Sequence, residues 1–488
     1  MQQPQAIIRC EAGGTTGLGH AVRCSALAGR LHQAGWRVSV AISDAGYAAV
    51  PDLAALPRLR PEAAVETPAD LVILDGYDFG LDVEQKFRRA GRKLLVIDDA
   101  PTRPHDAHIL LDSTLGRTAE EYESVAPSAC VLAGAAYVPL RPAFRRARAE
   151  RWQRFKAETQ PEVQRILVSF GGTDPLDHTG KVLTALAEHA TALTFVVVMG
   201  PSAAHLESVR AQVAELPGAE LHVAPPDMAG LMAGCDLALG AGGTSSWERC
   251  CLGLPTLVLI IAENQRPGAE RLAASGAAWL VEDDPAAIAD RFAALRADGS
   301  ARAKMAEAGR ALIDGRGLDR VLLPLMPSQS ILDGRVSLRL METRDEALLL
   351  DWQRHPETRR YARSAAAPTE AEHAAWYRRL LEDPDRLPFF VQEETPMGPR
   401  PVGYVRLDWR AEPVPGWEIS IATAPDHYRR GIGRAALSLA SALVPREPIL
   451  AHVLPENEAS HGLFRAAGYL PFTEGWYRLS PRLTESAA

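Results

Sequence analysis

Short apolar runs alternate with longer amphipathic stretches through the first part of the chain. The apolar runs have the length of buried strands, and turns rich in Gly and Asp follow several of them. The predicted strands are Ala6–Arg9, Arg37–Ile42, Leu71–Leu74, Lys93–Ile97 and His108–Leu111. Strand, turn and helix in rotation are typical of a parallel α/β sheet.

The charged stretch Arg145–Gln164 interrupts this rotation, and we interpret it as a helix followed by a linker. The rotation then restarts, with predicted strands at Arg165–Phe170, Leu193–Met199, Ala219–Val223, Leu237–Gly240 and Thr256–Ile261. The pattern therefore predicts two Rossmann-like domains in tandem, over residues 1–150 and 151–328. A cleft between two such domains is a usual place for a nucleotide-sugar.

A second break falls at Met326–Gly334, and the order of elements changes after it. A long helical region rich in Trp, Arg and His separates the first predicted strand from the others. These strands are Arg335–Leu340, Pro388–Gln392, Pro401–Asp408, Trp417–Ala422 and Ile449–Val453. We predict a separate α+β domain over residues 329–488.

Composition narrows the classes of molecule that the protein is expected to bind and the compartment in which it is expected to occur. The chain has 488 residues and a net charge of −8, which argues against nucleic acid as the main partner. It has no apolar run of about 18 residues, so no membrane span is expected. The six cysteines form no CxxC pair, and no signal peptide is recognisable, so we expect buried thiols in a cytoplasmic protein. No cluster has metal-ligand spacing, so no metal is expected. The oligomeric state is left open.

A loop rich in Gly and Thr follows the first strand and ends in Gly17, Leu18, Gly19 and His20. Its glycines allow a ligand to approach the backbone, and a helix starting near His20 offers free N–H groups. The dinucleotide fingerprint is not matched, which disfavours a nicotinamide enzyme. His20 is a candidate general base because it lies at the ligand-binding edge of the sheet. The alternative is a helix-cap histidine without chemistry.

Two further glycine turns lie in the second predicted domain. Gly171 and Gly172 follow a strand, and their N–H groups are candidates for phosphate binding, with an ordinary strand–helix turn as the alternative. The stronger segment has glycines, then hydroxyls, then an acid one turn into a helix. It contains Gly242, Gly243, Thr244, Ser245 and Glu248. This order suits a nucleoside diphosphate, with Glu248 accepting hydrogen bonds from ribose hydroxyls.

These segments, with Leu74–Asp78 and Ala262–Gln265, resemble the UDP-sugar hydrolases of pseudaminic acid biosynthesis. Relatives of that family include spore-coat polysaccharide proteins and glycosyltransferases of the GT-B fold. The resemblance implies cleavage of UDP from a UDP-2,4-diacetamido-2,4,6-trideoxy sugar with inversion, and His20 as the base. Tyr77, Asn264 and Gln265 are then substrate contacts. Glu11 departs from the Asp usual in the family, and Asp98 and Asp99 are either turn formers or functional.

The third domain resembles the GNAT acetyltransferases. The resemblance rests on the loop that enters a helix and on the later N-x-x-S and G-Y segments. It implies acetyl-CoA as co-substrate, with the pyrophosphate held by loop N–H groups. The implied coenzyme-binding residues are Arg430, Gly431, Ile432, Gly433, Arg434, Ala435 and Asn457. Glu418 is a candidate general base or a structural ion-pair partner. Phe464 stands where many GNAT enzymes have the tyrosine acid.

We therefore predict a bifunctional enzyme: the third domain acetylates the 4-amino group of a UDP-amino sugar, and the first two remove UDP. One alternative is a GT-B glycosyltransferase with a UDP-sugar donor, fused to an acetyltransferase of other specificity. Another is a nucleotide-sugar-binding protein without activity, against which the intact Gly19, His20 and Glu248 argue.

Overall fold

The computed structural model describes residues 3–11, 19–157, 162–362, 364, 366–412 and 414–483. Three sheets succeed one another along the chain. Two compact units are distinguished: one comprises Pro4–Gly29 and Arg37–Leu318, and the other consists mainly of the chain from Asp319 onward. Both parallel sheets lie in the first unit, and the mixed sheet lies in the second.

The first sheet is parallel, with the order β3-β2-β1-β4-β5-β6-β7. Its strands are β1 (Gln5–Cys10), β2 (Arg37–Ala41), β3 (Arg58–Leu59), β4 (Leu71–Asp75), β5 (Lys93–Ile97), β6 (Ile109–Asp112) and β7 (Cys130–Ala133). Its helices are α1 (Gly19–Gln33), α2 (Asp44–Ala49), α3 (Pro51–Ala54) and α4 (Leu81–Arg89). The central strand β4 is buried along its whole length, as expected for a strand covered on both faces.

The second sheet is also parallel, with the order β10-β9-β8-β11-β12-β13. Its strands are β8 (Arg165–Ser169), β9 (Thr194–Met199), β10 (Ala219–Val223), β11 (Leu237–Ala241), β12 (Thr256–Leu259) and β13 (Trp279–Val281). The helices of this part are α5 (Pro142–Ala157), α6 (His178–Ala185), α7 (Leu206–Glu215), α8 (Met228–Ala233), α9 (Ser245–Leu252), α10 (Arg266–Ala274), α11 (Pro285–Ala297), α12 (Gly299–Leu312) and α13 (Gly317–Leu322).

The third sheet has the order β14-β15-β16-β17-β18-β19-β21-β20 and is antiparallel except between β18 and β19. Its strands are β14 (Gln329–Ile331), β15 (Gly334–Leu340), β16 (Arg386–Glu393), β17 (Arg400–Arg410), β18 (Gly416–Thr423), β19 (Ile449–His452), β20 (Leu470–Thr473) and β21 (Trp476–Leu479). Its helices are α14 (Glu346–Arg354), α15 (Pro356–Arg359), α16 (Glu370–Glu382), α17 (Ile432–Leu443) and α18 (Glu458–Ala466).

The architecture predicted from the sequence, two parallel α/β sheets followed by an α+β domain, is confirmed. The two breaks predicted from the sequence differ in detail from what the structure has at those positions. Helix α5 runs across the predicted boundary at residue 150, and its Phe144 packs in one core with Cys250 and Leu252 of α9. By its packing, α5 belongs with the second sheet. The break at Met326–Gly334 is an ordered hairpin, because β14 pairs with β15.

Candidate functional site

The candidate site of the first unit lies where the order of strands reverses in each parallel sheet. In the first sheet this point is between β1 and β4, and in the second it is between β8 and β11. Crevices at the carboxyl ends of strands at such points are where open α/β sheets bind ligands. His20 and Asp75 lie at the first point, and the turn Gly242–Ser245 follows β11 at the second.

His20 is held by a buried carboxylate. Its Nδ1 lies 2.6 Å from Oδ1 of Asp75, the last residue of β4, which is 0% exposed. An ionised carboxylate can only accept, and its contact is shorter than the 3.1 Å between Nδ1 and Nη2 of Arg23. We therefore place the proton on Nδ1, which makes Nε2 the basic nitrogen. This is the arrangement by which an acid orients a general-base histidine in hydrolases. The sequence placed His20 at this edge but did not identify Asp75 as its partner.

Arg23 clamps the same carboxylate. Its Nε and Nη2 donate to Asp75 at 2.7 and 2.6 Å, and its Nη1 donates to Asp99 at 2.9 Å. Burial alone would raise the pKa of Asp75, but the charge and hydrogen bonds of Arg23, followed by those of His20, lower it to about 2. Asp75 is therefore ionised throughout the neutral range. Asp99 takes part in the site, which favours the functional interpretation of that residue.

Tyr77 stands beside His20, with the ring centroids 5.0 Å apart in an edge-to-face arrangement. Its hydroxyl lies 3.4 Å from Asp99, and the Asn264 side chain also hydrogen-bonds it. Glu11 stabilises the turn that follows β4, since its carboxylate accepts hydrogen bonds from the backbone N–H groups of Tyr77 and Asp78. A Cβ on Gly76 would lie 2.6 Å from the Glu11 carboxyl carbon, so the Glu11 side chain packs closely over this turn.

A second acid network lies behind Asp99. His105 bridges two carboxylates, with Nδ1 2.9 Å from Glu84 and Nε2 2.8 Å from Asp98. Burial opposes protonation of His105, but the hydrogen bonds to Asp98 and Glu84 outweigh it and raise its pKa. Asp98 thus anchors the end of β5 through His105, which leaves the neighbouring Asp99 to face Arg23.

The turn that begins α9 differs from the one that begins α6. Carboxylates of Asp174 and Asp177 accept the N–H groups of the first turn of α6, with Asp174 bonding His178 and Thr179. The first-turn N–H groups of α6 are thus already bonded by carboxylates, and phosphate binding by the N–H groups of Gly171 and Gly172 themselves stays a prediction. The start of α9 at Thr244 has no side-chain cap, which leaves it suited to an anion.

The predicted substrate residues of the two parallel sheets lie close together. A Cβ on Gly19 would be 3.6 Å from the Thr244 side chain, and a Cβ on Gly243 would be 3.6 Å from Nε2 of Gln265. Gly242 also packs against Gln265 and α10. Gly17, a predicted contact, lies outside the described residues. The structure thus brings His20, Tyr77, Asn264, Gln265 and the α9 turn around one region.

Glu248 lies on the first turn of α9, with one carboxylate oxygen 3.8 Å from Nη2 of Arg141. Burial raises its pKa to about 7, and the charges of Arg141 and Arg249 reduce that effect. Glu248 can therefore change its protonation near neutral pH. Arg141 is a further residue of this region to which the sequence analysis gave no role.

In the second unit, β18 and β19 pair only at Trp417–Ile449 and Glu418–Leu450, although β18 continues to Thr423. The strands separate beyond that point. Glu418 lies at the last paired rung, is 4% exposed, and accepts a hydrogen bond of 3.0 Å from Nε of Arg410. This geometry agrees with the structural ion-pair alternative, and its role as a general base stays a prediction.

The predicted coenzyme loop leads into α17. Gly431 has a φ of +84° and begins the helix, where no side chain caps the N–H groups, and Asp426 and Arg429 also have positive φ. Gly433 lies against Leu463, Ile432 and Ala435 are buried, and Arg434 is exposed. Such strained loops ahead of a helix are typical of anion binding.

Two predicted coenzyme residues are engaged elsewhere. The Arg430 guanidinium pairs with Asp333 at 2.7 Å and with Glu393, and its role in binding coenzyme A stays a prediction. The Asn457 side chain accepts the N–H of Ser460 and caps α18. Phe464 is buried and packs on Tyr469 with centroids 5.1 Å apart.

The remaining expectations concern cysteines, metals and membranes. Five cysteines are free and buried, but Cys130 is exposed on its edge strand, so the expectation of burial is wrong for that residue. Within the described ranges, no group of three or more His, Cys, Asp or Glu side chains could hold a metal ion. In the same ranges, no helix is long and apolar enough to cross a membrane.

Comparison with known families identifies the third domain. The family described as an acetyltransferase (GNAT) domain matches residues 335–470. The chain therefore carries a GNAT domain, as the resemblance of its coenzyme loop and of its N-x-x-S and G-Y segments predicted.

Comparison with known proteins also finds relatives of the preceding part. The spore coat polysaccharide biosynthesis protein SpsG of Bacillus subtilis is 34% identical over 197 residues, which are 38% of this chain and 56% of that protein. An uncharacterised protein of Methanocaldococcus jannaschii is 28% identical over 203 residues, which are 40% of this chain and 41% of that protein. The chain thus spans about half of the length of these relatives. Its N-terminal half is homologous to SpsG.

Similar solved structures include MurG of Acinetobacter baumannii, with 17% identity, a TM-score of 0.46, and coverage of 65% of this chain and 98% of that one. Another is the UDP-GlcNAc 2-epimerase of Neisseria meningitidis bound to UDP-GlcNAc, with 14% identity, a TM-score of 0.47, and coverage of 65% and 98%. A third is the spermidine N-acetyltransferase of Vibrio cholerae, with 20% identity, a TM-score of 0.25, and coverage of 29% and 92%.

Proposed function

We propose that this chain is a bifunctional nucleotide-sugar enzyme: its two parallel-sheet domains hydrolyse UDP from a UDP-2,4-diacetamido-2,4,6-trideoxy sugar, and its GNAT domain acetylates the 4-amino precursor from acetyl-CoA. The observation that carries the hydrolase is the His20–Asp75 pair. Its Nδ1–Oδ1 distance is 2.6 Å, and the neighbouring Gly19 faces Thr244 at the uncapped start of α9.

The proposed hydrolysis uses one water and one base. Nε2 of His20 takes a proton from water as the oxygen attacks the anomeric carbon. The bond from that carbon to the UDP oxygen breaks, and its electron pair leaves with UDP. The N–H groups and hydroxyls at Gly242–Ser245 hold the diphosphate as its charge develops. Attack opposite to the leaving group inverts the anomeric centre.

The proposed acetyl transfer takes place where β18 and β19 separate. The coenzyme pyrophosphate is held by the N–H groups around Gly431 and Gly433 at the start of α17. The 4-amino nitrogen attacks the thioester carbon, a C–N bond forms and the C–S bond breaks. The coenzyme leaves as a thiol after gaining a proton, and the amine loses one to solvent or to Glu418.

Mass spectrometry of UDP-diamino sugars incubated with the full chain tests this proposal. With the 4-amino precursor and no acetyl-CoA, we expect no release of UDP. When acetyl-CoA is added, we expect the precursor to gain an acetyl group and then to release UDP. With the diacetylated sugar, we expect UDP and free sugar without any acceptor. A requirement for a sugar or lipid acceptor would favour the glycosyltransferase alternative, and no product in either case would contradict both activities.

Affinity for UDP should depend on the protonation of Glu248. Its pKa of about 7 lies above its ordinary value, so the carboxylate that accepts ribose hydroxyls is lost as the pH falls below 7. We expect affinity to rise by up to about tenfold from pH 6 to pH 8 beyond the effect of the titration of UDP itself. Calorimetry with Glu248→Gln supplies the control, since UDP titrates equally there. Equal pH dependence in both proteins would reject the assignment to ribose.

Binding of coenzyme A should require glycine at position 431. The φ of +84° is not accessible to a β-branched residue, so Gly431→Val should distort the start of α17 and weaken coenzyme A binding by at least about tenfold. Gly398→Val is the matched control, because Gly398 also has a positive φ, of +101°, but lies in open space between β16 and β17 and outside the segment that leads into α17. Isothermal titration with coenzyme A gives the comparison. Equal weakening in both variants would indicate a general loss of stability.

A further inference from the structure

Arg249 braces the turn that starts α9 from its buried side. It is the fifth residue of the helix, and its side chain points back toward the helix start, as helical side chains do. Its Nη2 donates to the carbonyl of Ala241 at 2.6 Å and to the hydroxyl of Ser246 at 3.0 Å. These two acceptors flank the turn Gly242–Ser245. A Cβ on Gly240 would lie 2.8 Å from Nη1 of Arg249, so the guanidinium reaches the end of β11.

The charge of Arg249 is buried, and no described carboxylate forms an ion pair with it. The residue is 1% exposed, and within the described part of the chain its Nε and Nη1 have no hydrogen-bond partner. Burial lowers its pKa to about 10, so it remains protonated at neutral pH. Glu248 acts on it electrostatically, but no ion pair joins these two residues in the described structure. A buried cation of this kind is unfavourable unless an anion offsets it.

The start of α9 is also positive and uncapped. Four other helices in this part of the chain begin after an aspartate whose carboxylate accepts a first-turn N–H. These aspartates are Asp177, Asp227, Asp284 and Asp298, which precede α6, α8, α11 and α12. Thr244 makes no such bond ahead of α9. The partial positive charge of the helix end and the guanidinium charge thus lie at the same turn, and both favour an anion there.

We infer that Arg249 is the counter-charge for the ligand diphosphate held at Gly242–Ser245. This inference rests on the proposed function, because it takes its anion from the UDP moiety. Arg249 is a positioning residue: it acts from behind the turn through its charge and through the carbonyl and hydroxyl that it orients. The protein without ligand then contains an uncompensated cation, and binding of the diphosphate supplies the anion.

Two substitutions separate charge from bracing. Arg249→Lys keeps a cation and loses the two-armed geometry, whereas Arg249→Gln loses the charge and keeps only a shorter, neutral donor. Arg151 is the matched control, because it is another buried arginine whose pKa burial lowers to about 10, and it donates to the carbonyl of Ala233 in α8. Arg151→Lys and Arg151→Gln should leave the relative affinities for UDP and uridine unchanged.

Calorimetry of the full chain with UDP, uridine and pyrophosphate gives the test. For Arg249→Gln we expect UDP and pyrophosphate to bind about 10–100-fold more weakly, with uridine within about threefold of the wild type. The affinities of Arg249→Lys for UDP and pyrophosphate should lie between those of the wild type and of Arg249→Gln. The dependence of UDP affinity on salt should be shallower in Arg249→Gln. The thermal midpoint without ligand should be unchanged or higher in Arg249→Gln, while the stabilisation by UDP shrinks.

Other results would overturn the inference. Parallel weakening of UDP and uridine with a lower thermal midpoint would make Arg249 merely structural, and unchanged UDP and pyrophosphate affinity would remove it from anion binding. If the wild type binds pyrophosphate but not UDP, the nucleotide in the proposed function is wrong, and the pyrophosphate comparison still decides the role of Arg249. Failure of the wild type to bind either ligand would overturn both proposals.

Discussion

His20→Ala should lower the rate of UDP release by about 10²–10⁴ while leaving acetyl transfer at its wild-type rate. The reason is geometric: Asp75 fixes the proton on Nδ1 through the 2.6 Å contact and so presents a basic Nε2 to water. Alanine leaves the pocket and the α9 turn in place but removes the base. Single-turnover release of UDP from the diacetylated sugar measures the loss directly.

The acetyltransferase in the same chain is the internal control for the folding of His20→Ala. A second control is His189→Ala, which changes a histidine that lies ahead of β9 and packs on Phe292 of α11. A folded His20→Ala protein that hydrolyses at the wild-type rate would exclude His20 as the base. An equal loss with His189→Ala would show that the assay reports stability instead.

Asp75→Asn should lower both hydrolysis and stability. The amide can donate to Nδ1 of His20 and thereby favour the wrong tautomer, a change that lowers the rate by about 10⁴ in a serine protease triad. It also leaves Arg23, now with Asp99 as its remaining acid, partly uncompensated in the interior. Breaking a buried pair on one side costs about 3–5 kcal/mol. Urea unfolding and single-turnover kinetics measure the two effects.

The stability effect of Asp75→Asn has a defined pH dependence. The folded pKa of Asp75 is about 2, below its ordinary value of 3.8. The ionised carboxylate therefore stabilises the wild type fully above pH 4, and this contribution is lost as the pH falls toward 2. The difference between wild type and variant should shrink over that interval. A constant difference would show that the loss comes from packing, and Asp99→Asn, at a more exposed carboxylate, should have the smaller effect.

The strands of the parallel sheets could be predicted because their signal is local. Lys93–Ile97 was predicted at its observed bounds, since a strand covered on both faces is an uninterrupted apolar run. The strands Arg58–Leu59 and Gln329–Ile331 were missed. Both are short and lie at sheet edges, where pairing with a neighbouring backbone, and not apolar burial, defines the strand.

Which of the glycine turns precedes a helix with a side-chain cap could not be predicted, because capping depends on backbone geometry. The segments after β8 and β11 both read as glycine followed by polar residues. Asp174 folds back with a φ of 34° to accept two N–H groups of α6, whereas Thr244 makes no side-chain cap at α9. Both residue types are frequent caps in sequence, and only the backbone angles separate the two cases.

The sequence by itself determined the order of the three domains, the glycine turns and the histidine at the first sheet edge, because each depends on neighbours along the chain. Only the tertiary structure decided which charges meet. Asp75 is 55 residues from His20 and 52 from Arg23, and parallel pairing of β1 with β4 brings them together. The same holds for Arg430, which contacts Asp333 across 97 residues. Side-chain electrostatics acts through space, so a linear pattern cannot specify its pairs.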